Sequence, residues 1–154
     1  MAETDAVQEF KEGLTHLRNN YAKKASENFN HALELDPKNP FYLSYLGVAL
    51  AAGDQKWEEA EDLCYSAVKM KRMQPELYVN LAEVYRLAGK KQDAIDTLMT
   101  GLPMTRNDER LIKMLRKLGV RRPPVLSFLE RDHVLNKKLG KLRAKILTSM
   151  GKEV

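Results

Sequence analysis

Apolar residues recur at intervals of three and four along most of the chain, which is the spacing of amphipathic α-helices. The pattern predicts six helices, over about 4–18, 22–35, 40–52, 57–71, 75–88 and 91–102. Pro37 and Pro40 are expected to end one helix before the next begins. Gly53 and Gly89 fall in predicted turns, where a positive φ is cheap for glycine.

Small residues recur at a nearly constant distance, which indicates an internal repeat. Ala25, Ala60 and Ala94 are separated by 35 and 34 residues. A second series of small residues, with steps of 34 and 35, consists of Gly13, Gly47 and Ala82. The order of the steps places one extra residue between Gly47 and Ala60, and we expect it in the turn at 53–56 because turns accept insertions cheaply.

This pattern resembles the tetratricopeptide repeat, in which Leu-Gly, an aromatic residue, Ala, Phe, Ala and Pro recur over about 34 residues. Residues 32–37 (ALELDP) are similar to the end of one such repeat, and 57–60 (WEEA) to the start of a second helix. Residues 78–85 (YVNLAEVY) are similar to a first helix. The resemblance implies an all-α, right-handed superhelix of about three helix pairs plus a capping helix and a basic C-terminal helix.

The sequence departs from the repeat pattern in three places, one of which is that units two and three end in Arg72 and Arg106 instead of proline. The first unit carries Phe10, Leu14 and Leu17 instead of the Leu-Gly-aromatic spacing, so its first helix is expected either to be rotated or to serve as a cap. Pro103 is expected to break the last helix of the third unit early.

The repeats divide the chain into an array and a C-terminal segment. The array occupies 1–118, with units at about 6–39, 40–74 and 75–108 and a partial fourth unit at 109–118. An extended, proline-containing linker follows at 119–129, and a basic amphipathic helix is predicted within 130–154. The apolar stripe of this helix consists of Leu135, Leu139, Leu142 and Ile146. The helix either caps the array, fills its groove or pairs with another chain.

Charge is unevenly distributed along the sequence. Residues 1–105 have a net charge of −4 and residues 106–154 a net charge of +9, which together give +5. The basic surface predicted in the C-terminal segment consists of Arg121, Arg122, Lys137, Lys138, Lys141, Arg143 and Lys145. Either it is a solvated helix face, or it makes the protein an accessory nucleic-acid or ribosome-associated binder with steeply salt-dependent affinity.

The sequence contains no recognisable catalytic or metal-binding constellation. The histidines His16, His31 and His133 lack a second ligand at zinc spacing, and no phosphate-binding loop or nucleophile elbow is present. The single cysteine, Cys64, takes a position that is usually Phe in the repeat and is expected to be a buried, inert thiol. We therefore expect a non-enzymatic protein without cofactor or metal.

One cysteine and an acidic start without an apolar core indicate a cytoplasmic protein, and no apolar run approaches the roughly 20 residues of a membrane span. Weak similarity of the C-terminal segment to small bacterial repeat proteins favours a bacterial source.

The resemblance also implies a concave groove lined by the first helix of each unit. The expected groove residues are Phe10, Leu14, Arg18, Phe41, Ser44, Val48, Ala52, Val79, Asn80, Glu83 and Arg86. The implied function is that of a non-catalytic scaffold or adaptor, which binds a peptide or helix segment of an unidentified partner protein. Self-association through the C-terminal helix is an additional expectation, and a secretion-type chaperone is an alternative function.

Some relatives bind the C-terminal carboxylate of chaperones through a clamp of Lys, Asn and Arg. This sequence has Phe10 and Leu14 where the clamp begins and Tyr45 where a further Asn is expected. Only Asn80 is of a suitable residue type. A carboxylate clamp is therefore not expected.

Overall fold

The computed structural model describes residues 2–120, 138–139 and 141–142, with side chains from residue 5 onwards. The array is built of consecutive α-helices joined by short turns. The helices are α1 (Ala2–Arg18), α2 (Ala22–Leu35), α3 (Pro40–Asp54), α4 (Trp57–Met70), α5 (Pro75–Leu87), α6 (Lys91–Met104) and α7 (Glu109–Lys117). The all-α fold is thus confirmed, and each of the six predicted helices ends within two residues of its expected bounds.

Proline and a capping side chain set the start of the second unit. Pro40 is the first residue of α3, a position whose N–H would have no acceptor within the helix, so proline loses no hydrogen bond there. The side chain of Asn39 accepts a hydrogen bond from the backbone N–H of Phe41. Pro75 begins α5 in the same way.

The expectation for Gly53 is wrong, because α3 continues through Asp54 and Gln55 takes the left-handed conformation, with a φ of 54°. The inserted residue therefore lengthens α3. A Cβ on Gly53 would lie 3.2 Å from the Cβ of Ala22, so glycine here permits a close approach between α3 and the start of α2. The expectation for Gly89 is confirmed, since its φ is 76°.

The expected early break at Pro103 is also wrong, because α6 includes Pro103 and ends at Met104. The φ of proline is compatible with a helix, and near the last turn its ring removes only one backbone hydrogen bond. Thr105 then closes the helix, since its backbone N–H and its hydroxyl both donate to the carbonyl of Gly101, at 3.0 and 2.9 Å.

The helices form two layers. Among the first helices, α1 contacts α3, α3 contacts α5 and α5 contacts α7, whereas α2, α4 and α6 make no close backbone contact with one another. A layer with closely spaced helices lies on the inner side of a curved stack. The first helices therefore form the concave side of the array and the second helices the convex side.

The first unit has the same internal register as the second. A Cβ on Gly13 would lie 2.5 Å from the ring of Phe29, and a Cβ on Gly47 would lie 2.6 Å from Sγ of Cys64. These two pairs occupy equivalent positions of their units. Helix α1 is therefore not rotated relative to α2, and its unusual residues Phe10, Leu14 and Leu17 are half-buried against the core.

Helix α7 closes the described array. Leu111 and Leu115 are fully buried, and Met114 and Leu118 are nearly so, because α7 packs against α5 and α6. Lys138, Leu139, Lys141 and Leu142 are helical. The remainder of the predicted linker and C-terminal helix lies outside the described residues.

Within the described ranges, none of the helices combines the length and the apolar character that crossing a membrane requires.

Candidate functional site

An aromatic cluster forms the N-terminal end of the first-helix layer. The ring of Phe10 lies 5.6 Å from that of Phe29, 4.8 Å from Tyr42 and 5.3 Å from Tyr45, measured between ring centroids. Aromatic pairs in this distance range are attractive beyond their buried area. The cluster joins α1, α2 and α3 and leaves Phe10 half-buried, with Leu14 one turn further along α1.

A chain of polar side chains continues from Tyr45 of this cluster across α5 to α7. The hydroxyl of Tyr45 in α3 donates to Oε1 of Glu76 in α5 at 2.5 Å. The guanidinium of Arg110 in α7 lies 3.9 Å from Oε2 of the same carboxylate and also binds Asp108 at 3.0 Å. Three successive first helices are thus connected by side chains of opposite or complementary polarity.

Burial, together with the hydrogen bond to Glu76 and its negative charge, raises the pKa of Tyr45 above its ordinary value. The phenol therefore stays protonated and acts as a donor. The hydrogen bond to Asp108 raises the pKa of Arg110, and Arg110 lowers the pKa of Asp108. Sequence reasoning missed this chain of contacts. The available signal was the separation of 34 residues between Glu76 and Arg110, which places both at one position of consecutive units.

Ser44 and Asn80 form a buried polar pair. The side chain amide of Asn80 donates to the hydroxyl of Ser44 at 3.0 Å, and Ser44 is 0% exposed. Both residues are expected groove positions, yet here they join α3 to α5. Ser44 therefore offers no surface to a partner in this conformation.

The eleven expected groove residues lie on α1, α3 and α5 and differ in exposure. Half-buried members are Phe10, Leu14, Phe41, Val79 and Glu83, whereas Arg18, Ala52 and Arg86 are exposed and Ser44, Val48 and Asn80 are buried. Lys71 lies 5.5 Å above the ring of Phe41. Arg86 binds Glu83 through two hydrogen bonds of 2.7 and 2.6 Å, which raise the pKa of Arg86.

We use the name first-helix groove for the half-buried members of this set, together with Tyr45. The name therefore covers Phe10, Leu14, Phe41, Tyr45, Val79 and Glu83. Five of these six side chains are apolar or aromatic, so the surface they form is suited to apolar contacts.

The predicted basic surface is described only in part. Lys138 and Lys141 are helical and exposed. The other five members, at positions 121, 122, 137, 143 and 145, lie outside the described residues.

Cys64 and His31 belong to residue types that often carry catalysis. Cys64 is fully buried, and burial raises the pKa of its thiol to about 12. His31 is exposed and lies 3.8 Å from Glu9. In this part of the chain, no group of three or more His, Cys, Asp or Glu side chains could hold a metal ion.

Two family models, both described as tetratricopeptide repeat, match the sequence at residues 10–39 and 49–118. Together they span more than half of the chain and include most of the first-helix groove. No curated protein matches the sequence.

Solved structures with the same fold are tetratricopeptide-repeat domains. The first such domain of Spaghetti (RPAP3), bound to the HSP90 peptide SRMEEVD, is 20% identical with a TM-score of 0.61, and the match covers 76% of this chain and 92% of that one. The Arabidopsis OM64 domain is 13% identical with a TM-score of 0.63, covering 77% and 98%. The second domain of human RPAP3, in complex with the HSP70 peptide SGPTIEEVD, is 19% identical with a TM-score of 0.61, covering 77% and 98%.

Proposed function

The chain belongs to the tetratricopeptide-repeat family, and from this premise we propose that its first-helix groove binds a peptide or helix segment of a partner protein. The observation that carries the proposal is the row of half-buried apolar side chains across α1, α3 and α5, including Phe10, Leu14 and Val79. Similar domains that bind HSP90 and HSP70 peptides support this use of the fold.

The groove chemistry favours an apolar segment over an acidic C-terminal peptide. The peptides named with the similar domains end in EEVD and are therefore rich in carboxylates. In this chain the corresponding surface carries Phe10, Leu14 and Tyr45, and it also carries Glu83. An acidic peptide would place its carboxylates against apolar groups, at a cost in desolvation. An apolar side chain would instead gain by burial.

We propose a scaffold or adaptor role that includes no catalytic step. Repeat units of this family are interaction modules, and the buried thiol of Cys64 is unsuited to act as a nucleophile. The unpaired state of this cysteine supports a cytoplasmic location. A secretion-type chaperone would be one form of the same scaffold, and the identity of the captured partner would distinguish it.

A charge in the first-helix groove tests the proposal. We expect Leu14→Glu to reduce capture of protein partners from host lysate at least tenfold, because it puts a carboxylate among apolar contacts. Leu35→Glu is the matched control, since Leu35 is 44% exposed at the end of α2, away from the groove. Capture would be quantified by mass spectrometry, with circular dichroism to verify folding. Equal capture by wild type and folded Leu14→Glu would refute the proposal.

The basic C-terminal segment supports a second candidate function, an accessory nucleic-acid or ribosome-associated role. Arg116 and Lys117 at the end of α7 are exposed, as are Lys138 and Lys141, and none of these four side chains makes an ion pair with a described residue. The same capture experiment, repeated after nuclease treatment, separates the two functions. Partners that survive nuclease support the groove, whereas partners lost with nuclease support the basic segment.

A further inference from the structure

A second groove lies on the opposite, convex side of the array. Helices α4 and α6 both pack on α5 without touching each other, which leaves a cavity of about 400 Å³ between them. Tyr78, Leu81 and Tyr85 of α5 line this cavity. We call it the convex groove. Its size is that of a site for a small molecule or a few peptide residues.

The two walls of the convex groove have opposite charge. Lys69 in the last turn of α4 and Arg72 in the turn that follows line one side, and Asp93 and Asp96 of α6 line the other. Asp93 and Asp96 are three residues apart in α6, a spacing that brings helical side chains to one face. The lining therefore has no net charge, but one side of the groove is positive and the other is negative.

The charged walls do not satisfy each other. Within the described part of the chain, no ion pair joins Lys69 or Arg72 to Asp93 or Asp96. Asp96 accepts a hydrogen bond from its neighbour Gln92 at 2.9 Å, while the carboxylate of Asp93 accepts none from a described residue. The groove thus presents polar groups that a ligand could bind.

An ion pair lies near the end of the convex groove where α6 starts. Lys90 Nζ lies 2.5 Å from Oε1 of Glu61 in α4, and it also lies 5.9 Å from the ring of Tyr85. This contact links α4 to Lys90, the residue immediately before α6. At the other end Met104 is 48% exposed. The groove therefore has an ion pair near one end and an accessible apolar side chain at the other.

We propose that the convex groove binds a short peptide segment in which an apolar side chain is flanked by one basic and one acidic side chain. The basic group would face Asp93 and Asp96, the acidic group would face Lys69 and Arg72, and the apolar group would cover the tyrosine-lined floor. Nucleic acid and other polyanions would be repelled by the α6 wall, and polycations by the α4 wall. This site is separate from the first-helix groove.

Nuclear magnetic resonance titration of the full chain tests the proposal. Three blocked peptides of equal length would be compared, with the central sequences Lys-Leu-Glu, Lys-Leu-Lys and Glu-Leu-Glu. We expect the mixed-charge peptide to shift the backbone amide signals of Thr97 and Thr100, which line the groove, in a saturable way. It should bind at least fivefold more tightly than either peptide of uniform charge. Absence of a saturable shift, or equal affinity for all three peptides, would overturn the proposal.

Variants assign the binding to the convex groove. The double variant Asp93→Asn/Asp96→Asn keeps the shape of the α6 wall and removes its charge. It should lower the affinity for the mixed-charge peptide at least fivefold. Asp62→Asn is the matched control, because Asp62 is an exposed acid of α4 outside the lining. Leu14→Glu in the first-helix groove should also leave this binding unchanged. Equal affinity of the double variant and wild type would refute the assignment.

Discussion

Cys64 shows how a single side chain is fitted between two helices. Its Sγ donates to the carbonyl oxygen of Ser44 at 3.2 Å, and a Cβ on Gly47 would lie 2.6 Å from Sγ and 2.8 Å from the carbonyl oxygen of Ala60. In the first unit the equivalent contact is between Gly13 and the larger side chain of Phe29. The resemblance to the tetratricopeptide repeat predicted a buried cysteine, because Cys64 takes a position that is usually Phe, and the structure confirms that Cys64 is buried.

The buried thiol should be protected from chemical modification. Because burial raises the pKa of Cys64 to about 12, the reactive thiolate is scarce at neutral pH and increases only as the pH rises towards that value. We expect the native protein at pH 8 to react with an aromatic disulfide reagent at least a hundredfold more slowly than in urea. The control is Ser66→Cys in a Cys64→Ala background, since Ser66 is exposed. Equal rates for the two thiols would contradict the prediction.

At the scale of elements, the apolar spacing and the prolines were sufficient to predict the helices. Pro40 and Pro75 each begin a first helix, as proline is suited to do. The contacts between units were not predictable in this way. The hydrogen bond between Tyr45 and Glu76 depends on the rotation of α3 and α5 about their axes and on the reach of each side chain. The spacing of apolar residues predicts neither of these. For the same reason the sequence predicted Ser44 as a groove residue, whereas the structure buries it.

The buried Ser44–Asn80 bond should couple α3 to α5 energetically. Ser44→Ala leaves the Asn80 amide buried without this acceptor, so we expect a loss of about 1–3 kcal/mol in the free energy of unfolding. Urea denaturation would measure it. Ser66→Ala is the control and should change stability by less than about 0.5 kcal/mol, because Ser66 is exposed. The double variant with Asn80→Ala should lose less than the sum of the single losses. Strict additivity would exclude coupling through this bond.

At the scale of the whole molecule, two faces follow from one packing rule. The first helices contact one another and the second helices do not, so the array has a tight inner face and an open outer face. The inner face was predictable because the resemblance identified the first helices. The convex groove was not predictable from the sequence. Lys69 and Asp93 line the same cavity only because α4 and α6 pack on α5 without contacting each other.

The array should be capped by α7 and should not require the C-terminal segment for stability. Leu111 and Leu115 are completely buried, and each buried leucine contributes about 1.5–3 kcal/mol. We therefore expect deletion of residues 121–154 to change the Tm by less than about 4 °C, which corresponds to roughly 1 kcal/mol for a domain of this size. Deletion from residue 106 onwards removes α7 as well and should lower the Tm by more than about 10 °C. Thermal unfolding followed by circular dichroism would measure both. A large loss of Tm in the shorter deletion would instead assign the capping role to the basic C-terminal segment.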